Sequence, residues 1–446
     1  MSSEGQTLFS GLFVGEAIAE ATSERAWVQA MLDFEAALAG AEAEAGLIPP
    51  EAAEAIAAAC DVGGFNPTAL ARDGRSNSNP AVPLVAAIRA KLDDEAAGFV
   101  HYGATSQDAI DTAAMLVASR AMGLIRVELD AVAAACAALA DEHRGTVMAG
   151  RTLLQQAVPI TFGLKAAGWL DSTLSARERL GSLSLAVQLG GAAGTLASLG
   201  DDGERVVGLL AKRLELGEPA IPWHTARLRV ADLGTSLALA AGVMEKIALD
   251  LVLLSQTEVG EVAEPSGDGR GGSSTLPHKR NPVGSVVTIA CARRVRGAAG
   301  VLLEAMAQEH ERAAGAWQSE WAPLGDALAL TGGAAFALRE ALEGLEVRPD
   351  RMRENLDASG GLLMAESLVT ALAGQVGRRR ARELIDAAAV GALDGERPLR
   401  DELIADKEVS GALSEAEIDR ALDPAGYLGA ADTFVDRALS RFREES

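Results

Sequence analysis

Apolar side chains along this chain return at steps of three and four, as at Leu239, Val243, Ile247, Leu251 and Leu254. That is the period of a helix face, not the two-residue alternation of a strand. Proline interrupts the pattern sparsely: none lies between Pro83 and Pro159, between Pro222 and Pro265, or between Pro282 and Pro323. Proline lacks an amide donor and clashes inside a helix, so these gaps leave room for very long helices. Alternating β-branched runs are few, and the expected fold class is all-α. Three helical domains follow from the spacing of breakers. Residues 1–108 form an N-terminal domain of shorter helices, broken at Pro49-Pro50, Asn66-Pro67 and the Ser/Asn-rich stretch 75–80. Residues 109–347 form a central long-helix bundle, and 348–446 a smaller C-terminal helical domain that opens at Arg348-Pro349-Asp350. The apolar faces of the central helices are too broad for one bundle, so part of that surface is expected to meet other subunits.

Composition sharpens this picture. Of 446 residues, 49% are apolar but only 4% aromatic, so alanine, leucine and valine must build the core, and alanine is the best helix former. The length allows about two to three domains at ~150 residues each and a large core. The apolar share excludes disorder. Forty Lys and Arg against 63 Asp and Glu give a formal charge of −23, which excludes a general nucleic-acid binder, because that function needs a basic footprint. The longest purely apolar run, residues 131–140, is too short to span a bilayer, and the N-terminus lacks the basic start of a signal peptide. Cys60, Cys136 and Cys291 are odd in number and far apart, unlike metal ligands or a disulfide framework. They are expected as reduced thiols in a cytoplasmic protein.

One segment inverts the acidic balance. From Gly269 to Leu303 there is no Asp or Glu, while Arg270, His278, Lys279, Arg280, Arg293, Arg294 and Arg296 all fall there. Such an island suits a small polyanion, although charge alone leaves a solvated face or a subunit contact open. The island begins with GDGRGGSSTLPHKRNP, residues 267–282. Its glycines formally fit G-x-G-x-x-G, but a dinucleotide site needs a strand before the loop, and here a long helix precedes it. A flexible loop is the better reading. It carries Ser273, Ser274 and Thr275, and a serine beside Lys279 and backbone amides is a candidate activated base or nucleophile.

The run GSSTLPHKRNP, residues 272–282, resembles the signature loop of the fumarase/aspartase superfamily. Two further segments carry the likeness: HYGATSQD at 101–108, and GRTLLQ at 150–155 followed by Pro159. Within that superfamily, NPAVPLV at 79–85, QLGGAAGTLASL at 188–199, PWHT at 222–225 and QEHER at 308–312 resemble the bacterial carboxymuconate cycloisomerases. The resemblance covers nearly the whole chain. It implies an all-α fold whose long helices assemble in a homotetramer, with each active site collecting segments from three chains. It implies a small polycarboxylate substrate, lactonisation of 3-carboxy-cis,cis-muconate in protocatechuate degradation, and no metal or organic cofactor.

Two departures bear on the chemistry. Hydrating and amine-eliminating relatives carry a His where this chain has Leu153, and a Glu pairing with it where this chain has Val286. Neither replacement can move a proton. Poor leaving groups such as hydroxide or amines need a general acid, whereas a carboxylate, whose acid has a pKa of roughly 4, attacks or departs without one. A reaction with a carboxylate nucleophile then needs a proton only at the carbon that becomes enolate-like. By the resemblance, Ser273 supplies it, and Lys279 and Asn281 support the negative intermediate.

The same carry-over assigns substrate binding to His101, Thr105, Ser106, Gln107, Arg151, Thr152, Gln155, Ser274 and Arg312. Arginine suits bidentate carboxylate binding, with structural ion pairing the alternative for Arg151 and Arg312. A core histidine is the alternative for His101. His224, His278 and His310 stay unassigned, and His143 reads as a helix-end surface residue. Where many relatives continue PWHT with Arg-Asp-Arg, this chain has Ala226-Arg-Leu-Arg229 and lacks the acid. Two other functions fit the lost dyad: a lyase expelling a good leaving group, such as nitrite from a substituted succinate, and a non-enzymatic protein on the same scaffold.

Overall fold

The computed structural model describes residues 10–266, 271–272, 276, 279–395 and 397–445. Helix α1 (Glu24–Ala45) starts where Ser23 Oγ accepts the Ala26 amide at 3.1 Å, and it stops at Gly46, which adopts φ +83°. The long elements then follow: α2 (Ser106–Glu142), the antiparallel hairpin β1 (Val147–Thr152) and β2 (Gln155–Thr161), α3 (Phe162–Gly181), α4 (Gly203–Leu214), α5 (Leu228–Leu254), the short strand β3 (Val262–Ala263), α6 (Val283–Glu304), α7 (Ala316–Glu343) and β4 (Glu346–Val347), which pairs with β3. Helix α2 alone has 37 residues, as the proline-free stretch allows. Helix α7 runs through Pro323 and loses one internal hydrogen bond there. The C-terminal part holds α8 (Pro349–Asp357), α9 (Ala365–Val376), α10 (Arg378–Leu393) and shorter helices. No single helix among the described residues is long and apolar enough to cross a membrane.

The chain packs as two compact units. The first comprises the residues up to Leu129, Ala176–Glu245 and Val287–Ala337; the second comprises Asp130–Ser175, Lys246–Val286 and the residues from Leu338 onward. In the first unit, Phe34, Leu38 and Ala41 of α1 meet Ala109 of α2, Val187, Leu189 and Leu199, and Val206, Val207 and Leu210 of α4. In the second, Leu368 and Leu372 of α9 pack with Leu384 and Ile385 of α10 and with Leu399, Leu403, Val409 and Ile418.

Three expectations change on contact with the structure. The 147–161 hairpin interrupts an otherwise helical reading. Its two-residue turn, Leu153-Leu154, has φ +51° and +65°, the left-handed pair that normally calls for Asn-Gly, so no turn signal marks it. His143 is not a surface residue. It follows the end of α2 but is largely buried, with Nδ1 3.1 Å from Thr146 Oγ1 and its ring edge-on to Phe162 at 5.5 Å. Along α5, Ile247, Leu251 and Leu254 are buried, yet Leu239 is 61% exposed; the helix is apolar on more than the face it buries here.

Candidate active site

The first unit holds a buried polar cluster built from four distant segments. Asp108, the third residue of α2, accepts the backbone amide of Thr105 at 2.9 Å, the half of a capping box that closes a helix start. The same carboxylate accepts the Gly190 and Gly191 amides, both at 3.0 Å, and lies 2.6 Å from Nε2 of His224. Gly190 has to be glycine: a Cβ there would meet His224 Cε1 at 2.7 Å and Pro222 Cβ at 2.8 Å. One turn further along α2, the Thr112 hydroxyl donates to the Gln188 carbonyl and accepts the Gln188 amide, while Gln188 Oε1 accepts the Trp223 amide at 2.9 Å. Helix α2 thus sets the paths of 187–191 and 222–224 together.

Beneath them, Arg227 lies between two carboxylates. It donates through Nη1 and Nη2 to Asp111 at 2.7 and 3.0 Å, and through Nε and Nη2 to Glu320. All three are closed from solvent. Burial works against the Arg227 charge, but Asp111 and Glu320 outweigh it and hold the guanidinium firmly protonated. Burial pushes Glu320 upward, against the pull of Arg227. Asp111 also accepts Trp317 Nε1 at 2.9 Å, and Glu320 accepts Gln308 Nε2 at 2.9 Å.

The network reaches Gln107 and Arg312. Gln107 donates its amide to Asp111 Oδ2 at 3.1 Å and to the His224 carbonyl at 2.8 Å, and its Oε1 accepts Arg312 Nη1 at 3.0 Å. Arg312 Nη2 donates to the carbonyls of Gly191 and Ala192 at 3.4 and 2.9 Å. Gln107 is fully buried and wholly used in this way. Thr105 and Ser106 are half-buried beside it. His101, with φ +63°, opens the same segment and holds Glu35 Oε1 with Nδ1 at 2.6 Å. His310, at φ +47°, is exposed, and its carbonyl accepts the Thr225 hydroxyl at 2.9 Å. The structure therefore brings Thr105, Ser106, Gln107 and Arg312 together, with His101 at the start of the segment.

The second unit holds the remaining candidates. Arg151 makes a bidentate pair with the buried Glu261, at 2.8 and 2.6 Å, and Glu261 also accepts Asn355 Nδ2 at 2.8 Å. Thr152 and Gln155 flank the exposed hairpin tip. Ser273 and Ser274 lie outside the described residues. Lys279 is exposed, and Asn281 is half-buried with its amide on the Gly271 carbonyl at 2.8 Å. Buried Glu264 accepts the Gly284 and Ser285 amides at 2.8 Å each and the Ser285 hydroxyl at 2.6 Å. This places an anion at the positive N-terminal end of α6. Among the described residues, no three His, Cys, Asp or Glu side chains converge as metal ligands would.

The acids went unread in the sequence: Glu35, Asp108, Asp111, Glu261, Glu264 and Glu320. A signal existed for some of them. Asp108 and Asp111 stand three apart on one helix face, and Glu35 and Glu42 stand seven apart, both among apolar neighbours.

Residues 15–297 match the family model described as lyase, and residues 361–438 match that of the adenylosuccinate lyase C-terminus. The chain is 45% identical over 100% of both chains to the 3-carboxy-cis,cis-muconate cycloisomerase of Bradyrhizobium diazoefficiens. It is 46% identical to the nitrosuccinate lyase of Streptomyces davaonensis, over 97% of this chain and 94% of that one. Among solved structures, the 3-carboxy-cis,cis-muconate lactonizing enzyme of Pseudomonas putida superposes with a TM-score of 0.93 at 44% identity, covering 98% of this chain and 99% of that one.

Proposed function

The chain belongs to the fumarase/aspartase superfamily of lyases, and from that premise we propose that it lactonises 3-carboxy-cis,cis-muconate to 4-carboxymuconolactone, a step of protocatechuate degradation. An internal carboxylate of the substrate forms a C–O bond to one end of a double bond. The electron pair of that double bond moves to the neighbouring carbon, which is stabilised as an enolate by an adjacent carboxylate. A proton then reaches that carbon. Ser273 delivers it and is reprotonated from solvent, while Lys279 and Asn281 hold the developing charge.

The observation that carries this reading is the pair Leu153 and Val286. Both are exposed and apolar, at 97% and 56% of full accessibility, where hydrating relatives carry a proton-moving couple. A reaction whose nucleophile is already an anion does not need that couple. Arg312 supports it too. Among the described residues its charge is met only by neutral carbonyl-type acceptors, which leaves it available to a substrate carboxylate. Arg151 and Arg227 are matched by carboxylates of the chain itself.

The working unit in this reading is a homotetramer with shared sites. The exposed apolar residues Leu228, Leu239 and Leu249 on α5, and Val301 and Leu303 on α6, fit burial against further copies. So do the two leucines at the strained hairpin tip.

A second reading draws on the Streptomyces relative: elimination of nitrite from a nitro-substituted succinate, where the leaving group also departs unprotonated. Incubating the purified chain with each substrate separates them. Decay of the ultraviolet diene band of 3-carboxymuconate is the expected result. Release of nitrite from nitrosuccinate, with the diene band unchanged, would replace the first reading by the second.

A further inference from the structure

Glu35 is a carboxylate that the reaction above leaves unused. It sits on α1, is 1% exposed, and spends Oε1 on His101 Nδ1 at 2.6 Å; its Oε2 has no hydrogen-bond partner among the described residues. A buried carboxylate with one partner depends on that partner for its countercharge, and a contact this short is of the charge-assisted kind. The groups around the pair are mostly acidic. Glu42 lies along the same helix, Asp108 is in the first turn of α2, the Glu35 charge reaches the Cys60 thiol, and Arg89 is the opposing cation, with Nη2 on the Val100 carbonyl at 2.9 Å.

His101 itself is oriented for presentation. Its backbone is in the left-handed region, at φ +63°, a conformation that costs a non-glycine residue energy and tends to mark functional segments. Its side chain keeps 14% exposure. With Nδ1 committed to Glu35, Nε2 is left as the outward donor. The residue stands four positions before Thr105, in the segment that opens the Gln107–Arg312 cluster.

We infer that Glu35 is a positioning residue of the site: through Nδ1 it fixes the His101 ring as a cation whose Nε2–H binds a substrate carboxylate and does not carry protons. The inference rests on the polycarboxylate reading of the substrate. Burial lowers the His101 value, but the Glu35 charge and hydrogen bond more than offset this, and the net direction is upward. The cation therefore persists to higher pH than in a free imidazole and is lost as pH rises through that elevated value.

The test is Glu35→Gln in the full-length protein. Imidazole nitrogen NMR should show His101 titrating above the usual ~6.5 in the parent and lower in the variant. With 3-carboxymuconate, KM of the variant should rise about tenfold at pH 8 and return toward the parent at pH 5.5, where the ring regains its proton, with kcat within about twofold throughout. A KM ratio that does not change with pH overturns the inference, and so does a fall in kcat at constant KM, which would make His101 a proton carrier. His101→Gln gives a second arm if the first variant fails to fold: KM should rise at pH 8 without recovery at pH 5.5. The NMR arm needs no substrate. A Glu35-dependent titration in a chain that does not consume carboxymuconate rejects the substrate reading alone.

Discussion

Arg312 donates to Oε1 of Gln107 at 3.0 Å, and the acceptor is neutral. Gln107 can offer only its oxygen there because both of its amide hydrogens are held by Asp111 and the His224 carbonyl. The guanidinium is thus steered without being neutralised, which is the condition for binding an anion. Arg312→Ala should cost ~2 kcal/mol or more of binding, roughly a thirtyfold loss in kcat/KM expressed mainly in KM. Steady-state kinetics checks this; an unchanged KM would remove Arg312 from the binding residues.

If the substrate is a trianion held by such charges, its affinity must weaken with salt. Raising ionic strength from about 0.05 to 0.5 M should raise KM several-fold while kcat holds steady. Flat kinetics across that range would speak against an electrostatic pull on the substrate.

Ser273→Ala should lower kcat by about two to four orders of magnitude, the usual worth of a positioned acid or base. Assembly and thermal unfolding should stay as in the parent. A fully active variant would show that the proton comes from another group.

Arg227 is the only counter-ion shown for Asp111 and Glu320 among the described residues. Its loss leaves two buried carboxylates uncompensated, which should cost about 3–5 kcal/mol of stability in Arg227→Ala. Lysine should recover less than half, since a single ammonium cannot make two bidentate pairs. Urea unfolding of the parent and both variants decides it; a small, equal loss in the two would mean that the cluster tolerates bare charges.

Glu42 of α1 is wholly buried with neither oxygen hydrogen-bonded among the described residues, and burial, with a smaller push from Glu35, raises its carboxyl to about 9. Between the unfolded value near 4.5 and that figure, the folded chain holds the extra proton. Stability must therefore fall as pH rises through this window, by at most about 1.4 kcal/mol per pH unit. Glu42→Gln should flatten the decline between pH 5 and pH 8 in denaturant midpoints. An identical slope in the variant would place the proton elsewhere.

Much of the architecture was readable in the chain. The helical period and the long proline-free stretches foretold α2, α5 and α6. The hairpin escaped because its turn is Leu153-Leu154, with no residue that favours a left-handed backbone. At the site, the segments around 101–108 and 308–312 were readable, but the use made of each side chain was not. Gln107 looked like a substrate donor. Its amide and oxygen are instead taken by partners 4, 117 and 205 positions away, and no local pattern reports such distant demands. Arg151 and Arg312 read as equivalent for the same reason; Glu261 beside Arg151 is what separates them.

Asp108 gathers Thr105, Gly190, Gly191 and His224 around a single carboxylate. Anyone grafting the 188–199 stretch from a relative to redirect the enzyme inherits this junction. Donor segments should transplant cleanly when they bring the two glycines with them, and recipients should tolerate the swap only while this aspartate and its histidine travel as one cassette.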